Sequence, residues 1–186
     1  MRVIGGSARG RTLKGPPPRE TATRPTSDMV RGVIFDMLDA MGTDYDRVLD
    51  LYAGTGALGI EALSRGDGTA DFVEADAAAA RLIDANLAAI GFASRARVHR
   101  RRAEQALSSL SGPYTLVLAD PPYYDDGALA AVEQVAASPL LAEGAVLVLE
   151  HGRRQEPAEM LGKLTLYRSR RHGDSVVSIY REEESA

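Results

Sequence analysis

The chain has 186 residues, 45% of them hydrophobic, and a formal net charge of −4 at pH 7. This length is enough for one α/β domain with a full core and a short extension, but not for two large domains. The absence of cysteine excludes disulfides, thiol catalysis and cysteine-ligated zinc, and with only three histidines we expect chemistry that needs no metal. No apolar run approaches the ~20 residues of a membrane span, so we expect a cytoplasmic protein without a membrane segment.

Positive charge is concentrated at the start of the chain. Residues 1–31 contain seven Arg or Lys and two acidic residues, a charge of +5, so the rest of the chain is acidic. Short β-like runs at 2–5 and 11–14, separated by residues 6–10, predict a basic hairpin. Such a segment commonly binds phosphates, and the alternative is a solvated terminus with incidental arginines. We therefore predict a basic arm at 1–25 and one compact domain at 26–186.

The pattern after the arm predicts a helix and then an alternation of strands and helices. Thr26 or Ser27 can cap the first helix, whose apolar positions from Val30 to Met41 form one buried stripe. The alternation that follows is typical of a parallel sheet with helices on both faces and ligands at the strand C-terminal ends. The tail predicts two antiparallel strands, 164–171 and 175–181. The other predicted strands are 47–51, 70–74, 96–99, 115–119 and 145–150, and the predicted helices are 57–65, 77–90, 103–110, 126–137 and 156–161.

A glycine turn follows the first of these strands. The spacing Gly54-x-Gly56-x-x-Gly59 matches the dinucleotide-binding pattern, and Glu74 lies about 20 residues on, where an acid binds ribose. Asp50, at the end of the strand, would repel a pyrophosphate but attract the ammonium group of S-adenosylmethionine. The turn therefore favours S-adenosylmethionine over a nicotinamide dinucleotide, and a turn that binds no ligand is the third interpretation.

The fourth predicted strand of the sheet ends in Asp120-Pro121-Pro122-Tyr123. In a parallel sheet this end lies beside that of the first strand, so these residues should face the ligand of the glycine turn. The prolines fix the backbone and remove two N–H donors. The Asp120 carboxylate and the Pro121 carbonyl would accept hydrogen bonds from both N–H groups of an amine on a planar ring, and Tyr123 would stack on that ring. This arrangement suits methyl transfer to the amine nitrogen, and the alternative is a simple strand-ending turn.

In combination, these motifs resemble the class I S-adenosylmethionine-dependent amino-methyltransferases. The basic arm is similar to the opening of the RsmD family, bacterial enzymes that methylate the N2 amine of one guanine in 16S ribosomal RNA. The resemblance covers almost the whole chain. Its motifs are Arg2-Val-Ile-Gly-Gly6, Arg9-Gly-Arg11, Thr23-Arg-Pro-Thr26, Leu49–Gly59, Glu61–Gly66, Phe72-Val-Glu74, Asp120–Tyr123, His172–Ser175 and Tyr180.

The resemblance implies a Rossmann-like α/β fold with a mostly parallel seven-stranded sheet and an antiparallel C-terminal strand pair. It also implies S-adenosylmethionine as cofactor, converted to S-adenosylhomocysteine without a metal. The catalytic residues would be Asp120, Pro121, Pro122 and Tyr123. The cofactor-binding residues would be Asp50, Ala53, Gly54, Thr55, Gly56, Glu74, Ala75, Arg102, Ala103 and Asp120, and the RNA-binding residues would be Arg2, Arg9, Arg11, Lys14, Arg24 and Thr26.

One position departs from the pattern of these enzymes. Where they often place an acid that contacts the adenine amine, this chain has Arg102 followed by Ala103. Because an arginine cannot accept that hydrogen bond, we expect backbone groups near these two residues to contact adenine.

The resemblance predicts a monomer that acts on 16S ribosomal RNA, either as naked RNA or within the 30S subunit or an assembly intermediate, with the target base flipped out of its stack. Two alternatives remain open. The chain could methylate another amine, such as adenine N6 of DNA or RNA or a glutamine amide, or it could be a non-catalytic assembly factor that binds ribosomal RNA. A nicotinamide oxidoreductase is disfavoured by Asp50.

Overall fold

The computed structural model describes residues 1–16, 28–122 and 126–182. Its helices are α1 (Asp28–Ala40), α2 (Ala57–Arg65), α3 (Ala77–Ile90), α4 (Ala103–Ala106) and α5 (Asp126–Ala136). Its strands are β1 (Arg47–Leu51), β2 (Thr69–Val73), β3 (Ala96–His99), β4 (Tyr114–Ala119), β5 (Leu141–Gly152), β6 (Met160–Leu161), β7 (Leu164–His172) and β8 (Ser175–Arg181). Within these residues, no helix has the length and apolar character needed to cross a membrane.

The strands form one eight-stranded sheet in the order β3-β2-β1-β4-β5-β8-β7-β6. Strands β1 to β5 pair in parallel, and β8, β7 and β6 are added by antiparallel pairing. The strand order reverses between β1 and β4, and ligands of open α/β sheets bind at the C-terminal ends of the strands at such a reversal. The predicted α/β fold with a mostly parallel sheet and an antiparallel C-terminal pair is confirmed, with one strand more than the predicted seven.

The additional strand replaces a predicted helix. The helix predicted at 156–161 is wrong, because Met160 and Leu161 pair with Thr165 and Leu164 across a tight turn. Leu161 is buried and Met160 is exposed, which is the alternation of a strand at the edge of a sheet. The helix predicted at 103–110 is also shorter than expected, since α4 ends at Ala106 and a single 3-10 turn follows.

The core consists of two layers, one on each face of the sheet. Alternate residues of the central strands point to opposite faces. Val48, Leu116 and Val148 pack under α1, α2 and α3, whereas Leu49 and Val117 pack on the other face, with α4 and α5. This double burial explains why the central strands read as continuous apolar runs.

The N-terminal segment forms the predicted hairpin and packs on the domain. Arg2 and Thr12 form an antiparallel bridge, and Val3, Ala8 and Leu13 are buried in the core layer that contains α1 and α2. The fully buried carboxylate of Glu61 on α2 accepts hydrogen bonds from the N–H groups of residues 4 and 5, at 2.8 and 2.7 Å. The predicted boundary between residues 25 and 26 lies outside the described residues.

Candidate functional site

The glycine turn connects β1 to α2 at the C-terminal edge of the sheet. Gly54 and Gly56 have φ angles of 55° and 77°, in the left-handed region that glycine adopts without a steric penalty. The Gly56 N–H donates to the Ala53 carbonyl at 2.7 Å, and α2 begins at the next residue. The turn therefore sets the start of a helix at the C-terminal edge of the sheet, a position that suits a small polar ligand.

Asp50 lies beneath this turn, and burial governs its charge. Its side chain is almost fully buried, and Oδ2 accepts a hydrogen bond from the Gly59 N–H at 2.8 Å. Burial raises the pKa of Asp50 to about 7, helped by the charge of Glu74 and opposed by the Gly59 hydrogen bond. A nearby cation would favour the ionised form, as the sequence-based prediction for the cofactor ammonium requires.

Gly59 allows α2 to approach the sheet closely. A Cβ atom at this position would lie 2.4 Å from Cε1 of Phe72 and 2.9 Å from Oδ2 of Asp50. The third glycine of the turn pattern is therefore needed for helix–sheet packing, which is its usual role in this type of turn.

Glu74 lies directly against the glycine turn. One carboxylate oxygen accepts from the Gly54 N–H at 2.8 Å, and the other accepts from the Asp76 N–H at 2.7 Å. A carboxylate has about four acceptor positions, so these two bonds leave it able to accept from the hydroxyls of a ribose. Ala75, the next residue, is exposed.

The end of β4 lies beside the glycine turn. Leu51 of β1 pairs with Ala119 of β4, so Asp120 follows β4 next to the start of the turn. Asp120 is half-buried, Pro121 is buried and Pro122 is exposed. The structure thus brings Asp120 and both prolines to the edge that holds the turn. Tyr123, the fourth predicted catalytic residue, lies outside the described residues.

Arg102 and Ala103 lie at the start of α4, after β3 on the same edge of the sheet. The Arg102 side chain is 62% exposed and pairs with Glu104 at 3.4 Å, whereas Ala103 is buried. The contact of adenine with backbone groups near these two residues stays a prediction.

Two residues near the turn have contacts that the sequence did not indicate. Tyr52 has a φ of 59°, which is strained for a non-glycine residue, and its hydroxyl donates to the Ala128 carbonyl at 3.0 Å. Asn86 of α3 is almost fully buried. Its Nδ2 donates to the Thr55 and Lys14 carbonyls, each at 3.1 Å, and its Oδ1 accepts from the Lys14 N–H at 2.9 Å. For Asn86, the sequence did offer one signal of a buried polar contact, which is an amide side chain on the otherwise apolar face of α3.

The predicted RNA-binding residues of the hairpin differ in their contacts. Arg2, Arg9, Arg11 and Lys14 are exposed. The Arg11 guanidinium also donates to the Ala89 carbonyl at 2.7 Å and the Ile90 carbonyl at 3.3 Å, at the C-terminus of α3, where a cation is favoured. Arg24 and Thr26 lie outside the described residues.

The chain is similar to proteins that are named as methyltransferases. A model of the family described as conserved hypothetical protein 95 matches residues 1–181. "Putative rRNA methyltransferase YlbH" of Bacillus subtilis is 38% identical over 185 residues, which are 98% of this chain and 99% of that protein. "Ribosomal RNA small subunit methyltransferase D" of Escherichia coli is 41% identical over 123 residues, which are 66% of this chain and 60% of that protein. The solved structure of "Putative methyltransferase yhhF" from Escherichia coli is 32% identical, with a TM-score of 0.84 and 98% of each chain covered.

Proposed function

We propose that this chain, which belongs to the RsmD family of methyltransferases described as conserved hypothetical protein 95, methylates the N2 amine of a guanine in 16S ribosomal RNA with S-adenosylmethionine. Its family supports methylation of ribosomal RNA as the general activity. The observation that carries the proposal further is the pairing of Leu51 with Ala119, because it sets the Asp120 acceptor group beside the glycine turn.

The residues around the turn fit the cofactor by their chemistry. Gly54 and Gly56 adopt left-handed angles that form a tight turn between β1 and α2, and Glu74 retains acceptor capacity for ribose hydroxyls. Asp50 would be the carboxylate partner of the ammonium group. When bound, S-adenosylmethionine supplies an electrophilic methyl group and introduces no phosphate near Asp50.

Asp120 and Pro121 would act on the amine. The Asp120 carboxylate and the Pro121 carbonyl accept hydrogen bonds from its two N–H groups, which favours the positive charge that develops on the nitrogen as its bond to the methyl carbon forms and the methyl–sulfur bond breaks. One of the two protons is then released, to Asp120 or to water. Burial of Pro121 and the fixed φ of both prolines hold these acceptors in place, so little reorganisation is needed during the reaction. Tyr123 would stack on the base, and Asp120 would remain close to the cofactor.

The hairpin would hold the RNA. Arg2, Arg9 and Lys14 are exposed on a segment that packs on α2, and cationic side chains there would contact phosphates. The target base would then be flipped out of its stack into the Asp120 site. Naked 16S ribosomal RNA, the assembled 30S subunit or an assembly intermediate would present this base.

The test uses methyl-labelled S-adenosylmethionine with the purified protein. The substrates are 16S ribosomal RNA and 30S particles from cells that lack the gene, and the product is digested to nucleosides for mass spectrometry. We expect label in N2-methylguanosine. Label in N6-methyladenosine or in protein would contradict the proposed acceptor, and cofactor binding without transfer would indicate a non-catalytic assembly factor.

A further inference from the structure

Strand β7 carries a cluster of exposed arginines near one edge of the sheet. Arg168, Arg170 and Arg171 are all exposed. Within the described parts of the chain, none of the three forms an ion pair with an acidic side chain, and the Nε of Arg171 donates to the Gly173 carbonyl at 3.2 Å. In a protein whose net charge is −4, this strand therefore presents a local excess of positive charge, which attracts an anionic partner.

The sheet register places this cluster at the same edge as Asp120. A row of paired residues crosses four strands, from Ala119 of β4 through Leu149 of β5 and Ser178 of β8 to Ser169 of β7. Arg170 comes one residue after Ser169 in β7, just as Asp120 comes one residue after Ala119 at the end of β4. Three strand spacings separate β7 from β4, which is a distance of ~14 Å.

Two of the arginines lie on the same sheet face as Asp50. The Ser169 and Ser178 hydroxyls are 3.3 Å apart, and the Ser178 hydroxyl is 2.9 Å from Nε2 of buried His151. Because side chains alternate along a strand, Arg168 and Arg170 point to the opposite face. That face packs under α1 and α2, and Asp50 lies on it, bonded to the Gly59 N–H of α2.

An exposed aromatic ring accompanies the charges. Tyr167 is 42% exposed, and the guanidinium groups of Arg181 and Arg168 lie 4.3 and 5.7 Å from its ring centroid. Positively charged grooves with aromatic rings that stack on bases are characteristic of surfaces that bind single-stranded nucleic acid. Guanidinium groups also match phosphate oxygens in geometry.

We propose that Tyr167, Arg168, Arg170 and Arg171 form a second RNA-binding surface, which holds phosphates of the strand that flanks the target nucleotide. The inference rests on the proposed function. It adds a contact on the side of the Asp120 site opposite to the hairpin, since the hairpin packs on α2 and α3. A stacked strand has one phosphate per ~3.4 Å of axis, so the ~14 Å to Asp120 spans only a few nucleotides.

Protection of a sheet edge is the competing explanation. Within the described residues, β6 pairs with β7 only at Leu164 and Thr165, and arginines along the edge beyond them would discourage pairing between copies. That role predicts self-association when the charges are removed, without a change in RNA affinity.

The test compares two double variants of the full chain that remove the same charge. Arg168→Ala/Arg170→Ala changes the β7 surface. Arg81→Ala/Arg97→Ala removes exposed arginines from α3 and from β3, at the opposite edge of the sheet. The probe is transcribed 16S ribosomal RNA, with filter binding at several KCl concentrations, and S-adenosylhomocysteine titration reports the cofactor site.

For the β7 variant, we expect binding about tenfold weaker and a salt slope reduced by ~1 for each lost phosphate contact. Cofactor affinity should be unchanged, and the control should bind RNA like the wild type. Arg168→Lys/Arg170→Lys should retain the slope, because the charge is conserved. Unchanged RNA binding by the β7 variant, with or without self-association, would overturn the inference, as would an equal loss in the control. If the wild type methylates RNA while the β7 variant binds normally, only this inference fails. If the wild type neither binds nor methylates RNA, both proposals fail.

Discussion

The carboxylate of Asp50 accepts a hydrogen bond from the backbone N–H of Gly59, across 2.8 Å between β1 and the first turn of α2. This contact requires a close approach that depends on the absence of a side chain at Gly59. The position of the acid and that of the helix are therefore set by one another.

Replacing Gly59 should damage both stability and cofactor binding. In Gly59→Ala, the added methyl would lie 2.4 Å from Cε1 of the buried Phe72 ring, so the ring or α2 must shift. We expect a loss of ~1 to 3 kcal/mol in the free energy of unfolding, measured by urea denaturation, together with weaker binding of S-adenosylhomocysteine. Gly15→Ala is the control, because a Cβ there meets nothing within 4 Å. Equal stability of the two variants would contradict this view of Gly59.

The raised pKa of Asp50 predicts a specific dependence of stability on pH. The folded protein holds this proton with a pKa of about 7, whereas an unfolded chain holds it at ~4. The protonated form is therefore favoured by folding, and this contribution is complete below pH ~4 and is lost as the pH rises through 7. Urea denaturation between pH 5 and 8 should show a decline in the wild type that is smaller in Asp50→Asn. The same decline in both proteins would rule out this origin.

Glu74 should be needed to hold the glycine turn as well as the ribose. Glu74→Gln removes the charge and one of the two acceptors that bind the N–H groups of Gly54 and Asp76. Hydrogen bonds to charged groups contribute ~1.5 to 3 kcal/mol, so we expect S-adenosylhomocysteine affinity to fall by ~10- to 100-fold in calorimetric titration. Glu104→Gln, which alters the surface pair with Arg102, should bind nearly as well as the wild type. Normal affinity of Glu74→Gln would remove this residue from the site.

Asp120 should matter for transfer more than for cofactor binding. Asp120→Ala deletes an acceptor that acts mainly in the transition state, so we expect methyl transfer to be abolished and cofactor affinity to stay within about tenfold. Single-turnover transfer and cofactor titration provide the two measurements. Asp84→Ala, an exposed position on α3, is the matched control. Turnover close to normal in Asp120→Ala would refute the mechanism.

Two arginines of the hairpin should behave differently. Arg11→Ala removes the cation that binds the end of α3, so it should lower stability by ~0.5 kcal/mol as well as weaken RNA binding. Arg9→Ala should weaken RNA binding alone. Thermal denaturation and rRNA binding at several salt concentrations would separate the two effects. An equal loss of stability in both variants would show that the hydrogen bonds from Arg11 to the end of α3 do not stabilise the fold.

The parts that the sequence predicted are those set by local pattern. Strands β1, β2 and β4 are mostly apolar segments between breaking residues, and α3 is an amphipathic helix that Asp76 caps at its start and Gly91 ends. The rule for parallel sheets then placed Asp120 beside the glycine turn, and the pairing of β1 with β4 confirms that arrangement.

Long-range contacts account for what the sequence did not predict. The β6–β7 pairing is itself local, but it extends a sheet edge that exists only because β8 pairs with β5, about 30 residues earlier in the chain. The hydroxyl of Tyr52 reaches Ala128 on α5, and the partners of Asn86 lie 31 and 72 residues away along the chain. The periodicity of apolar residues cannot predict such pairs, because each depends on how separate helices and strands pack together.

Asn86 has a consequence that extends beyond packing. One buried amide holds both the Lys14 backbone in the hairpin and the Thr55 carbonyl in the glycine turn. A ligand that orders either segment reduces the conformational entropy that a second ligand must remove from the other. RNA and cofactor should therefore bind with positive cooperativity, and the coupling must be reciprocal: whatever factor RNA adds to cofactor affinity, the cofactor adds to RNA affinity.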